Sequence, residues 1–172
     1  METITPVQQK FILHWGEMGN RWGINRTMAQ IHALLYLSNH PLHAEDITEQ
    51  LRVARSNVSN CLRELQNWGV IRVVHVMGDR RDHFESLSDV WEMFRIVLEE
   101  RKKREIDPTI AILRECVEEA GKEDKHTRER LTNMLSFFET MTTWYGEVTR
   151  LPDKALRTFL TMGSKLRKLV TR

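Results

Sequence analysis

The sequence predicts a mainly α-helical protein with one small β-wing, and three features of its 172 residues carry that prediction. Apolar side chains return every three or four residues through most of the chain. A single β-branched run over 70–76 breaks the period, and Gly78-Asp79 follows it where a tight reversal is expected. Hydrophobic residues make up 41% and charged residues 29%, an ordinary balance for a folded domain and too apolar for a disordered chain.

The first helix is announced by Thr5-Pro6-Val7-Gln8: a cap, a proline at the first helical position, and a capping-box partner. It is expected to run to Trp15, where Gly16, Gly19 and Gly23 interrupt it. A second helix buries Met28, Ile31, Leu34, Leu35 and Leu37, and Asn39-His40-Pro41 stops it. A short helix over 44–51 carries Ile47 and Leu51 four apart. After a brief turn comes a helix over 55–67, ended by Gly69, with Val58, Leu62 and Leu65 on one side. Ser56, Asn57, Ser59, Asn60 and Arg63 leave its other side polar. The run over 70–76 is a strand, and His83-Phe84-Glu85 is its return.

Everything after Ser88 is helical in pattern. Ser88 is expected to cap a helix bearing Trp91, Phe94, Val97 and Leu98. Asp107 should cap the next helix and Pro108 take its first position, with Ile110, Leu113 and Val117 along it, and Gly121 should end it. Leu131, Met134, Phe138, Met141, Tyr145 and Val148 then alternate three and four apart, as a helix–helix seam does. A last helix is expected from Pro152-Asp153, with Lys165, Arg167 and Lys168 near its negative end. The organisation expected is a domain over 1–87 and a helical dimerisation and effector-sensing region over 88–172, because so small a domain cannot bury such long helices itself.

Lys and Arg total 26 against 24 Asp and Glu, so net charge says little, but its distribution says more. Arg52, Arg55, Arg63, Arg72, Arg80 and Arg81 are opposed over 52–81 only by Glu64 and Asp79. Over 150–172, Arg150, Lys154, Arg157, Lys165, Arg167, Lys168 and Arg172 face Asp153 alone. Local clusters in a near-neutral chain point to anionic partners.

Helix, short helix, turn, polar-faced helix and hairpin, in that order, form a winged helix-turn-helix. The second helix of that motif fits a B-DNA major groove, where Arg bonds guanine and Asn adenine bidentately. Arg52, Arg55, Ser56, Asn57, Ser59, Asn60 and Arg63 are the candidate contacts there, with Arg80 and Arg81 at the wing tip against phosphate or in the minor groove. The partner implied is double-stranded DNA. A protein-binding winged module and a non-specific architectural DNA binder remain as alternatives.

At these residues the chain resembles the MarR superfamily, and within it the GbsR-like branch. The matching stretches are Ile31-His32-Ala33-Leu34-Leu35-Tyr36-Leu37-Ser38, Ala54-Arg55-Ser56-Asn57-Val58-Ser59-Asn60-Cys61-Leu62-Arg63-Glu64-Leu65, Trp68-Gly69-Val70-Ile71 and Gly78-Asp79-Arg80-Arg81-Asp82-His83-Phe84. They lie within a matching stretch that runs over 23–86, somewhat over a third of the chain. The resemblance implies a homodimeric regulator, usually a repressor, on a pseudo-palindromic operator. Two positions depart from the pattern: Arg52 stands where the turn usually has glycine, and Ala54 where a serine caps the helix. Each departure is worth about 1 kcal/mol, and Arg52 is expected to compensate with a phosphate contact.

Relatives of the GbsR type include sensors of choline-like cations, so Trp15, Trp22, Trp91, Phe94, Trp144 and Tyr145 are candidates for an aromatic cage around a small-molecule effector. Their ordinary role is packing. Cys61 is expected to be a buried, inert thiol, and His40 and His43 to be loop residues without a matching ligand pair. No metal, cofactor or enzymatic constellation is expected. With few cysteines, no signal peptide and no apolar run near the roughly 20 residues that span a bilayer, the expectation is a cytoplasmic protein without a membrane partner.

Overall fold

The computed structural model describes residues 4–120, 125–152, 154–156, 158 and 162. The chain divides into two compact units, Met1–Val97 and Leu98–Arg172.

In the first unit, α1 (Pro6–Arg21) opens with the expected capping box: the Gln8 N–H donates to Thr5 Oγ1 (3.3 Å) and the Thr5 N–H to Gln8 Oε1 (2.8 Å). The expected stop at Trp15 is wrong. The helix passes through Gly16 and Gly19 because both are buried against α2 (Arg26–Leu37). A Cβ on Gly19 would lie 2.7 Å from the Ala29 Cβ, and one on Gly16 would lie 2.6 Å from the Gln30 Cγ. These glycines permit close helix approach, and only Gly23 (φ 76°) makes the turn. Asn25 then caps α2 by accepting from the Met28 N–H at 3.1 Å.

Leu42–His43 forms a strand, β1, that the sequence did not announce. It pairs antiparallel with β3 (Asp82–Ser86), Leu42 facing Phe84 and His43 facing His83. β2 (Ile71–His75) takes the other side of β3, from Ile71 opposite Ser86 to His75 opposite Asp82, giving the order β1-β3-β2. His43 is not a loop residue. Its Nδ1 accepts from the Asp46 N–H while its own N–H donates to Asp46 Oδ2, both at 3.2 Å, which caps α3 (Ala44–Leu51).

α4 (Arg55–Trp68) ends at Gly69, left-handed at φ 77°. Its Val58, Cys61, Leu62 and Leu65 join Ile31, Leu34, Leu35, Ile47 and Phe84 in one core, with Ile31, Ile47 and Val58 wholly enclosed. α5 (Val90–Arg101) is capped by Asp89, which accepts from the Trp91 N–H at 2.7 Å; Ser88 does not hold that place.

In the second unit a π-type turn, Lys102–Ile106, leads into α6 (Asp107–Glu119) with no break. Ile106 and Asp107 are both right-handed helical, so Asp107 does not cap. Its carboxylate accepts from Lys102 Nζ at 2.8 and 3.0 Å. α7 (Lys125–Thr149) packs on α6, with Arg114 paired to Glu139 at 2.8 Å. Its apolar stripe is two stripes. Leu131, Phe138, Tyr145 and Val148 are half-buried, whereas Met134 and Met141 stand 51% and 45% exposed alongside Phe137 and Trp144. At 3.6 residues per turn, a residue three along sits 60° behind its neighbour, which swings Met134 and Met141 towards Phe137 and Trp144.

The expected stop at Gly121, and Asp153, Arg157, Lys165, Arg167, Lys168 and Arg172 of the expected last helix, lie outside the described residues. Among the described residues no helix is long and apolar enough to cross a membrane.

Candidate nucleic-acid interface

The turn between α3 and α4 rests on Arg52, which adopts φ 53° and ψ 45° and is the only non-glycine residue with positive φ among those described. The Val53 N–H donates back to the Thr48 carbonyl at 3.2 Å, closing α3 in the way a glycine ordinarily would. Ala54 stands at the N-cap of α4 with no side-chain bond to offer, so that helix starts uncapped. Both departures noted in the sequence are therefore present in the backbone.

Because Val58, Leu62 and Leu65 bury one side of α4, the opposite side is presented outward. Ser56, Asn60 and Arg63 are exposed on it at spacings of four and three, and Asn67 extends that row by four more. Asn67 was not singled out from the sequence, although the same periodicity marks it. Asn57 points elsewhere. Its Nδ2 reaches Thr27 Oγ1 of α2 and its Oδ1 accepts from Cys61 Sγ, each at 3.5 Å. Ser59 is half-buried. Cys61 is buried, and desolvation together with the nearby Glu64 raises its thiol pKa.

The wing turns through Asp79 N–H to Val76 carbonyl (3.1 Å), with Gly78 at φ 85°. Arg80 is exposed there, and Met77 beside it is fully exposed. Arg81 is exposed but engaged: its backbone N–H and its Nε both donate to Asp79 Oδ1, at 3.0 and 2.9 Å, and its Nη2 contacts Asp79 Oδ2. The Arg81 side chain and N–H hold the Asp79 carboxyl well below the usual carboxylate range. His83, buried in β3, lies 3.0 Å by Nδ1 from the Arg81 carbonyl, which can only accept, so Nδ1 carries a proton.

The five arginines of the face thus differ. Arg55 is ion-paired with Glu45 of α3 and Arg81 with Asp79. The guanidinium groups of Arg52, Arg63 and Arg80 have no partner among the described residues. The pairing of Arg55 was not anticipated, since Glu45 is ten residues away and on another helix.

The aromatic candidates are shared between the two units. Trp15 stacks on Phe11 at 5.3 Å, and Trp91 meets Phe94 edge-to-face at 6.5 Å. Trp22 is 59% exposed. In the second unit Trp144 faces out, while the Tyr145 hydroxyl lies by Glu99, its pKa raised to about 12 by desolvation and by that carboxylate. A cleft of about 400 Å³ in the first unit is lined by Tyr36, His40, Arg72, Glu85, Ser86 and Glu92 among others and by none of the six. Among the described residues no three of His, Cys, Asp and Glu gather as a metal site.

No curated protein matches the sequence. Among solved structures, one titled as a transcriptional regulator overlays with a TM-score of 0.67 at 16% identity, covering 84% of this chain and 96% of its own, which shows the fold. The transcriptional regulator Tm0710 of Thermotoga maritima overlays at 0.40 with 16% identity, over 84% of this chain and 92% of its own. The Staphylococcus aureus MepR–DNA complex overlays at 0.39 with 17% identity, over 78% and 92%. In sequence, residues 22–82, which hold α2, β1, α3, α4, β2 and the wing turn, match the model of the MarR family.

Proposed function

We propose that the chain is a sequence-specific DNA-binding transcriptional regulator, a homodimeric, ligand-responsive repressor of the GbsR-like branch of the MarR superfamily, acting in the cytoplasm and not as an enzyme. The observation that supports the reading is the outward row Ser56, Asn60 and Arg63 on α4, flanked by the guanidinium groups of Arg52 and Arg80, which have no partner among the described residues. A buried apolar side fixes which way that row faces, and base-reading residue types occupy it. The exposed α7 stripe of Met134, Phe137, Met141 and Trp144 favours pairing of two copies, since apolar rows of this length are seldom left in water. A small-molecule effector would act by biasing how the two DNA-binding heads are held.

A gel-shift series tests the reading. The chain should select DNA from its own promoter region over random duplex, at half-sites about 10 base pairs apart. Asn60→Ala or Arg63→Ala should weaken preferred sites by about 1–3 kcal/mol per lost base contact, whereas Arg80→Ala should weaken every sequence alike and flatten the salt dependence. Absence of any shift at low salt, about 50 mM, where phosphate contacts are far stronger than at about 200 mM, would sink it.

A further inference from the structure

Glu45 and Asp79 hold arginines of the DNA face in different ways. Asp79 bonds the Arg81 backbone N–H as well as its side chain, and so shapes the wing tip. Glu45 makes one side-chain contact to Arg55, between groups 47% and 51% exposed, with no backbone bond to Arg55 in the pair. An exposed pair of that kind is weak and readily exchanged. Arg55 sits at the first position of α4, beside the outward row, where a phosphate of the groove wall would approach.

We infer that Glu45 is a specificity-determining residue, a built-in carboxylate that occupies Arg55 in the free protein and yields it to a DNA phosphate only when base contacts seat α4 in the groove. The inference rests on the DNA-binding reading above. Non-specific affinity comes almost wholly from phosphate neutralisation, so each guanidinium held internally lowers it. At a preferred site, contacts from Asn60 and Arg63 bring Arg55 against the backbone, and the carboxylate is exchanged for phosphate. The ratio between preferred and random sequence rises as a result.

The test measures binding of a random 30-base-pair duplex (about three helical turns) by fluorescence anisotropy at several salt concentrations, for wild type, Glu45→Gln, Arg55→Gln and the double variant. Glu45→Gln should bind random duplex several-fold more tightly at low salt, with a log–log salt slope steeper by about 0.9, the value of one phosphate contact. Arg55→Gln should abolish that gain, leaving the double variant equal to Arg55→Gln alone. If the gain persists without Arg55, Glu45 acts only through its charge and the inference is overturned. Unchanged affinity and slope in Glu45→Gln overturn it equally, while the DNA-binding reading survives. Failure of all four proteins to bind at low salt overturns both.

Discussion

Replacing Arg52 with glycine should stabilise the protein and, on the DNA-binding function proposed above, weaken its hold on DNA at the same time. Arg52 sits at φ 53° and ψ 45°, near the centre of the left-handed helical basin. An L-residue there costs about 1–2 kcal/mol through the clash of its Cβ with the following carbonyl. Glycine removes that cost but gives back about 0.4–1 kcal/mol through the greater freedom of the unfolded chain. The net expectation is a gain of about 0.5–1 kcal/mol, or roughly 1–4 °C in Tm for a chain of this size. Arg52→Ala keeps the Cβ and its strain, so it should leave stability within about 0.5 kcal/mol of wild type. Both variants lose the guanidinium, and both should flatten the salt slope of DNA binding by about 0.9. Urea titration measures the first effect and anisotropy across a salt series the second. Equal midpoints for Arg52→Gly and Arg52→Ala would refute the strain argument. A salt slope unchanged in both would refute the phosphate contact.

Three further outcomes are expected. Ala54→Ser should supply the missing cap of α4 and add about 1 kcal/mol in urea unfolding, because no side chain now bonds the first-turn N–H groups. Gly19→Ala should destabilise by about 1–3 kcal/mol, since the new methyl would press on the Ala29 Cβ at 2.7 Å; Gly16→Ala should cost less, because the Gln30 side chain it meets can swing away. Enclosure of the His32 ring lowers its pKa from 6.5 to about 4, so between those values the unfolded chain takes up a proton that the folded one does not. Stability should therefore fall by about 3 kcal/mol as pH drops from about 6.5 to about 4, and thermal melts of His32→Gln should lose that dependence.

Several local signals are realised as the sequence has them, although the cap of α5 falls on Asp89 and not on its neighbour Ser88. Thr5 and Gln8 form their capping box because both partners lie within one helical turn. Gly69 ends α4 because a left-handed residue is a property of its own backbone. The winged motif follows from such signals in order, and so does the outward row on α4: once Val58, Leu62 and Leu65 are buried, the pitch of the helix places Ser56, Asn60 and Arg63 on the far side.

What the tertiary structure decided are the features whose cause lies on another element. Gly16 and Gly19 have the composition of a break, yet they lie inside a helix because Ala29 and Gln30 come against them. β1 is too short at two residues to leave a periodic trace, and it exists because β3 offers an open edge. Asn57 has the chemistry of a base reader, but Thr27 of α2, thirty residues away, takes its amide. Arg55 and Arg63 are alike in sequence, and only the approach of α3 pairs the first, while the second has no partner among the described residues. Helix period and turn chemistry are encoded in neighbouring residues, so the chain alone determined its motif and the side that faces outward. The Arg55–Glu45 pair, the Asn57–Thr27 contact and the close packing at Gly16 and Gly19 depend on distances between separate elements, so folding alone settled them.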